Sequence, residues 1–522
     1  MASFSLGGRW ILLKHLSKSL HGETRRHFPH AVRSITSLSD TVDDATHVKK
    51  TIRPFEEIPG PKKYPIIGSI LRQQDPNPLE DQKQLVEQYG PIVTEDQGIT
   101  RIVYIAEPDM VAEMHRNEGK FPERGYTMLL ESLYCVDYDE VNSLMSLEGE
   151  QWHNARVGVH TAFTKPKAAN PYLPKQADVA DDLVDRMKYF LDGNGELPHL
   201  ERDLFKYAVE ALCVVCFDKR IGCLEGSATA QSYGHSLNRN LERIIQCFDE
   251  ALNPVNSLVL NTVPKLAPVY WRHKKYATSM RRVKDMYLRK AIKRVLDEEI
   301  EEKPRLLDFM MNERRMAMEQ VNTIITSMLV GGTDNVKNTL AWMLYFLAKN
   351  PDKQEKLRQE VNERLPQDTE LPKNALNNMP YLKACLKETF RLRGPYSTGV
   401  ARVMPEDVVI GVFEIPEGTL VIPLMDLMCK SEKYFTEPES YKPERWLRKE
   451  GAKSRLHPFI VLPFGYGVRS CLGQRFAQQE IYLAIAKIVQ TFQIHYDYED
   501  FGCKFGVLTR PDKPLRFRFM QI

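Results

Sequence analysis

The sequence lacks long apolar runs. A membrane-crossing helix needs roughly 18 apolar residues, and the longest run here, 340–348, has nine. A polytopic or signal-anchored membrane protein is therefore not expected. Excess charge is also scarce, with 72 basic residues against 69 acidic ones, a formal net of +3. Six of the basic residues and only two acids fall in the first forty positions, so the remainder is close to neutral. A neutral body offers no electrostatic footprint for nucleic acid, and no such partner is expected. Nine cysteines, an odd number in a long chain, do not form the framework of a small disulfide-stapled domain and fit a reducing compartment. Hydrophobic residues make up 43%, and the 28 glycines bring the apolar share into the globular range. That composition excludes a disordered, collagenous or low-complexity chain.

The first forty residues differ from the rest. Arg9, Lys14, Lys18, Arg25, Arg26 and Arg33 stand with the single acid Glu23 before Asp40, serines are frequent, and Trp10, Leu13, Leu16 and Leu20 form an apolar stripe on a short helix. This acid-poor, amphipathic pattern is that of a mitochondrial transit peptide over 1–40, the alternative being a plain basic tail. Acids return at Asp40, Asp43 and Asp44, which places processing near 35–45.

A Pro-rich entry, Ile58-Pro-Gly-Pro-Lys-Lys-Tyr-Pro-Ile-Ile-Gly68, opens the body. No Gly/Ser linker and no repeat follow it, so 50–522 is expected to be one domain. Helical periodicity marks 79–89, 178–191, 204–216, 280–302, 319–348, 352–364 and 474–489. Strand-like pieces are confined to 102–105 and 408–422. The expected fold is mainly α with a small β region. Cys213 and Cys216 form a C-x-x-C, but no second Cys or His pair stands at finger spacing, so they read as core residues of a helix.

The segment with most chemical content is Pro463-Phe-Gly-Tyr-Gly-Val-Arg-Ser-Cys-Leu-Gly473. Gly465 and Gly467 permit a tight bulge, and Arg469 supplies a cation. Cys471 falls just before a helix, where free N–H groups favour a thiolate. Gly473 lets a flat ligand approach the backbone. Taken alone, Cys471 reads equally as a nucleophile or a core thiol. Phe464-Gly-x-Gly-x-Arg-x-Cys-x-Gly473, however, resembles without exception the haem-ligand signature of the cytochrome P-450 superfamily, the haem-thiolate monooxygenases. The resemblance covers roughly 50–520 and implies that superfamily's single triangular helical domain enclosing haem b. It makes Cys471 the axial ligand of the iron, where a thiolate favours O–O cleavage.

Further residues carry what the resemblance implies. Glu388 and Arg391 match an acid–base pair that the family joins to Arg445, in Pro443-Glu-Arg-Trp446, as a structural triad. Trp152, Arg156, Arg402 and Arg469 match propionate-binding positions, with Phe464 in the haem loop. Gly331-Gly-Thr-Asp-Asn335 resembles the oxygen-groove motif on the helix over 319–348; two central glycines read as helix packing or as an opening for a small ligand. Asp334 matches the proton-relaying acid. Asn335 departs from the usual threonine, which orders a water for protonation; an amide both donates and accepts. Working oxygen activation with greater release of peroxide is expected.

Lys383, Lys387 and Arg475 match basic positions by which the family's mitochondrial branch docks an acidic 2Fe–2S ferredoxin. Arg116-Asn-Glu-Gly-Lys-Phe-Pro-Glu-Arg124 also resembles that branch. No flavin or nicotinamide fingerprint is present, so an NADPH-dependent reductase and the ferredoxin are separate proteins. The apolar stretch 258–271 before Arg272-His-Lys-Lys275 is either core or a peripheral contact with the matrix face of the inner membrane. The resemblance implies O2 and a lipophilic substrate of sterol, steroid, secosteroid or xenobiotic type, contacted by 126–147 and 247–271. The rival readings are an electron-independent peroxide isomerase on the same fold and a non-catalytic haem protein.

Overall fold

The helical periods of the sequence reappear in the computed structural model. It describes residues 51–65, 68–69, 72, 77–96, 100–125, 144, 147–224, 271–272, 275, 285, 288–296, 305–365, 375–396, 398–447, 456–504 and 508–522. The leader expected over 1–40 lies outside them. So do most of 126–147, all of 247–270, Cys135 and Cys247. Helix α1 (Pro78–Tyr89) starts at Asn77, whose side chain accepts from the Leu79 N–H at 3.1 Å, with proline and two acids in its first turn. The other long helices are α2 (Pro108–Arg116), α3 (Gly149–Thr164), α4 (Leu173–Phe190), α5 (Leu200–Phe217), α6 (Met318–Lys349), α7 (Pro351–Arg364), α8 (Pro380–Leu392) and α9 (Gln474–Thr491). Helix α4 begins five residues ahead of its apolar period because Pro174 is tolerated in a first turn. Of the helix expected over 280–302, residues 285 and 288–296 are described, and all are helical.

The strands are few and short, as expected. One sheet runs β1-β2-β6-β3 (Ile92–Thr94, Ile102–Ile105, Leu420–Pro423, Arg402–Val403). Within it β2 and β6 are parallel, with Ile102 opposite Leu420, and the other pairs are antiparallel. The stretch 408–422 divides into a hairpin, β4 (Val408–Ile410) with β5 (Phe413–Ile415), and then β6. Gly411 and Gly418 turn the chain at φ 65° and 80°. Among the described residues two more two-stranded sheets are present, one of them β7 (Phe492–His495) with β10 (Arg518–Gln521), whose mixed composition carries no period-2 signal.

The main core is helical. Every residue of α5 from Asp203 to Phe217 is buried, and α6 packs along it. At Gly332 the helices come so close that an added Cβ would stand 2.9 Å from the Leu212 side chain. The packing alternative for that glycine is therefore the one observed. Cys213 and Cys216 are buried in α5, and desolvation pushes both thiols up.

Two polar knots lie inside this apolar frame. The first is Glu388 on α8. Its carboxylate accepts from Arg391 (2.8 and 3.0 Å), Arg445 Nε (2.9 Å), the Lys442 N–H (2.9 Å) and Trp446 Nε1 (2.8 Å). Arg391 also donates to the carbonyls of Cys429, Pro438 and Ser440. This knot ties α8 to the irregular chain before the Cys471 loop. Losing one partner of such a buried pair leaves an uncompensated charge. Arg391→Ala is expected to cost about 3–5 kcal/mol in urea denaturation, whereas Lys442→Ala, which leaves the bonding N–H in place, costs little.

The second knot joins α4, α5 and α9. Gln176 Nε2 donates to Glu480 Oε1 (3.0 Å) and Ala211 O (3.1 Å), while Gln479 donates to Gln176 and Ala169. Tyr207 reaches the Glu480 carbonyl at 2.7 Å. Burial pushes the Glu480 carboxyl up to about 8, against an ordinary 4.5. The folded chain thus keeps a proton that the unfolded chain releases, so stability is full below the unfolded pKa and falls as pH rises towards the folded one. Glu480→Gln removes that contribution. Its denaturation midpoint should fall less than the wild type's between about pH 5 and pH 8, a difference on the order of a few kcal/mol.

Candidate functional site

The loop before α9 is shaped by its glycines. Gly465 and Gly467 take φ of 68° and 70°, left-handed values that other residues resist. A Cβ on Gly467 would also meet Glu118 Oε1 at 2.5 Å. The loop closes with the Cys471 N–H donating to Phe464 O at 2.8 Å, and Phe464 packs edge-on against Phe390. Cys471 is solvent-accessible yet enclosed on most sides. Desolvation raises its thiol, and the Gly473 and Gln474 N–H groups, with Arg124 and Arg156, oppose that. Burial wins, so the helix start alone does not deliver the thiolate. A metal cation at Sγ would, because a coordinated thiol is deprotonated outright.

Around this loop stand four arginines. Arg469 is buried, stacked over Trp152 at 3.9 Å, and bonded to Pro122 O (2.8 Å), Leu147 O (3.0 Å) and the Glu148 carboxylate. Arg156, one turn after Trp152 on α3, donates to Ser470 O at 2.6 Å. Arg402 on β3 binds Glu118 at 2.5 Å, and Glu118 also meets His115 Nδ1 at 2.9 Å. Arg124 donates from Nη2 to Arg469 O at 2.8 Å, while its Nε is buried with no partner. Burial first, then mutual repulsion, lowers Arg469 to about 9 and Arg156 to about 10, and Arg124 also falls. Desolvation raises Glu118, but His115 and Arg402 outweigh it and hold that carboxyl below its ordinary value.

A flat dicarboxylate with a central metal ion fits this donor set. Cys471 offers a thiol to the metal, the paired glycines keep the backbone low, and crowded guanidiniums with an orphaned N–H call for anionic acceptors. Haem has this chemistry, and Trp152, Arg156, Arg402, Phe464, Arg469 and Cys471 do lie about one loop. Arg124, Glu118 and Glu148 join them without having been singled out individually. Their partners lie hundreds of residues away, so no local spacing signals them; only the 116–124 segment as a whole stood out.

Asp334 and Asn335 sit on α6, which packs against α9. Buried Asp334 pairs with Lys337 Nζ at 2.7 Å and accepts from Asn338 at 3.1 Å. Lys337 continues to Glu201 on α5 at 3.3 Å, and the Glu201 side chain is 52% exposed. Asn335 donates to Gly331 O at 2.7 Å, leaving Oδ1 buried and unpartnered. Both side chains bond within α6 rather than to the cysteine loop.

The basic positions divide. Lys387 is exposed on α8, its ammonium 5.9 Å from the Trp446 ring. Lys383 is half-buried, bonds Asn377 O at 2.7 Å, and is lowered chiefly by desolvation. Arg475 is exposed and donates to Thr164 O at 3.1 Å, at the end of α3. The two lysines expected as one patch are thus unequal, because Asn377 and burial occupy the first.

Comparison with known proteins agrees with this geometry. The family model described as Cytochrome P-450 matches residues 58–518. Cytochrome P-450 10 of Lymnaea stagnalis is 30% identical over 497 residues, covering 92% of this chain and 89% of that protein. The mitochondrial 1,25-dihydroxyvitamin D(3) 24-hydroxylase of Rattus norvegicus is 28% identical, covering 85% and 84%. The mitochondrial 25-hydroxyvitamin D-1 alpha hydroxylase of Homo sapiens is 29% identical, covering 85% and 87%. With the match running through both the scaffold and the Cys471 loop, the chain belongs to the cytochrome P-450 family of haem-thiolate monooxygenases.

Proposed function

We propose that this chain is a mitochondrial hydroxylase of a lipophilic, sterol- or secosteroid-like substrate, drawing electrons from a 2Fe–2S ferredoxin and its NADPH-dependent reductase. One oxygen atom of O2 enters a C–H bond and the other leaves as water, consuming two electrons and two protons. The carrying observation is the Phe464–Cys471 loop with four arginines gathered on it. The substrate class rests on two similar proteins whose names are those of vitamin D hydroxylases. The location rests on the mitochondrial relatives and on the basic, acid-poor residues 1–40, and the matrix face of the inner membrane is where such a substrate would be met.

Cys471 would hold the iron through Sγ. Arg124, Arg156, Arg402 and Arg469 would hold the propionates, with Trp152 stacked against Arg469. Bound there, haem supplies dioxygen activation, with the thiolate favouring O–O cleavage. The chain supplies protons and order. Asp334, Lys337 and Glu201 run from the buried core of α6 to an exposed carboxylate, a path along which Asp334 exchanges a proton with solvent. Asn335 commits one amide N–H to Gly331 O and keeps Oδ1 as an acceptor, so it holds a water by accepting a hydrogen bond from it. A threonine hydroxyl at that place donates and accepts from one rotatable group, which a fixed amide does not.

Two measurements test this. The carbon-monoxide difference spectrum of the reduced protein should show the strongly red-shifted Soret band of a thiolate–haem with dithionite and with ferredoxin plus reductase, and Cys471→Ser should abolish it. Lys387→Glu should slow the ferredoxin-driven reduction alone, and added salt should do the same to the wild type. A band with dithionite only would favour the peroxide-isomerase reading. The second measurement is hydrogen peroxide released per reductant consumed, which should fall in Asn335→Thr; an unchanged or higher ratio removes the role given to Asn335.

A further inference from the structure

Among the described residues, three buried polar atoms without a hydrogen-bond partner lie in one corner of the fold. They are Trp342 Nε1 on α6, Arg393 Nε just past the end of α8, and Thr509 Oγ1 in the C-terminal chain. Trp342 and Thr509 are 2% and 4% exposed, and Arg393 is half-buried. The Arg393 guanidinium carbon stands 5.4 Å from the centre of the Trp342 ring, and Phe501 closes on that ring at 4.9 Å. Two residues beyond Arg393, the Pro395 carbonyl accepts from the Thr509 N–H at 2.9 Å, and strand β9 (Arg510–Pro511) packs against α6. Burial pushes the neighbouring Cys503 thiol up to about 11, and the Arg393 cation opposes that rise, so its charge is felt inside the same corner.

The chemistry of these atoms is one-sided. An indole N–H and a guanidinium Nε–H only donate, while a hydroxyl turns either way. Arg393 commits Nη1 to the Leu392 carbonyl at 2.8 Å, and among the described residues no carboxylate lies at ion-pair distance from it. The acids of adjoining segments are engaged elsewhere: Asp500 with Lys349 at 2.9 Å, Asp426 with Lys430 at 2.7 Å, and Asp512 with the Gly502 N–H at 2.8 Å. A water between Trp342 and Arg393 would accept both hydrogens, yet it would leave the cation uncompensated and need acceptors for its own two. We propose that Trp342, Arg393 and Thr509 bind a small inorganic monoanion of the chloride type, which takes all three hydrogens and the charge. Bound there, the anion staples α6, the end of α8 and the C-terminal chain together. It thereby stiffens the run from Pro395 to Arg402 on β3. The site goes beyond the hydroxylase reading and does not depend on it.

The test uses the purified, haem-loaded protein. Its denaturation temperature should rise saturably when chloride or bromide replaces gluconate at fixed ionic strength, because a ligand of the folded state alone stabilises it by mass action. General salt effects act on the whole surface, do not saturate in this way and survive substitution of single residues. Arg393→Gln should abolish the saturable rise. Trp342→Phe keeps an aromatic ring and Thr509→Val keeps the side-chain shape, so each should weaken the anion about tenfold, the loss of one hydrogen bond to a charged group. The carbon-monoxide difference spectrum of all three variants should match the wild type's. Wild-type crystals soaked in bromide should give an anomalous peak between Trp342 Nε1 and Arg393 Nε that Arg393→Gln lacks. If Arg393→Gln does not fold, Trp342→Phe and Thr509→Val carry the comparison. A water alone at that place, a bromide peak without a saturable thermal effect, or saturation unchanged in these variants overturns the proposal.

Discussion

The desolvation of four neighbouring guanidinium groups, with their mutual repulsion, constrains this structure most. Arg124, Arg156, Arg402 and Arg469 are close enough that each of the first, second and fourth is pushed down by others in the set. An isolated cluster of that kind would disperse into water, since buried cations without partners are costly. It is held because each member is bound by a fixed backbone carbonyl, by an acid or by both. Those points come from distant parts of the chain: the segment after α2, the start of α3, strand β3 and the cysteine loop. The loop must therefore be rigid before it can carry them. Gly465 and Gly467 give it its shape, while the Glu388 knot fastens the chain leading into it to α8.

That division between a rigid apolar frame and a few dense polar knots recurs through the molecule. Helices α5 and α6 pack so closely at Gly332 that neither has room to slide, and the same approach brings Lys337 within reach of Glu201. Burial disfavours the Lys337 ammonium, yet Asp334 and Glu201 outweigh it and hold its pKa above the ordinary value. A charged chain through a dry helix pair persists only when each member has a partner. Here the last member is exposed, so the chain has a wet end.

Much of this was legible in the sequence, for reasons that differ by element. The long helices announced themselves because one face of each is apolar at a regular period. The cysteine loop was legible through its resemblance to the family's haem-ligand signature, because the glycines and the cysteine before a helix by themselves left a nucleophile or a core thiol open. Strands β7 and β10 were not, having mixed composition and few residues. The resemblance singled out Arg402 and Arg469 but left their ionic state unknown, for Glu118 and Glu148 are paired with them only by the tertiary fold, 284 and 321 residues away. Arg124 was hidden for the same reason. The lysines of α8 show the opposite error. Spacing places Lys383 and Lys387 on one face, but it does not see the carbonyl of Asn377 that occupies the first.

Asn335 shows how one substitution type redistributes work that a single side chain performs elsewhere. A hydroxyl at this place donates and accepts in turn, so it both orders a water and passes a hydrogen along. The amide here has one of its two N–H groups fixed on Gly331 O, one turn back in α6. Reversing the amide would set its oxygen against that carbonyl oxygen, so the assignment is firm on electrostatic grounds. What is left is a buried acceptor and one N–H of fixed direction, which hold a water without turning from acceptor to donor as a hydroxyl does. Proton delivery then rests on Asp334 and the Lys337–Glu201 path, and water placement on Asn335. Two groups that must act together are less tightly coupled than one group doing both, and the physical consequence is a longer interval in which partly reduced oxygen can escape.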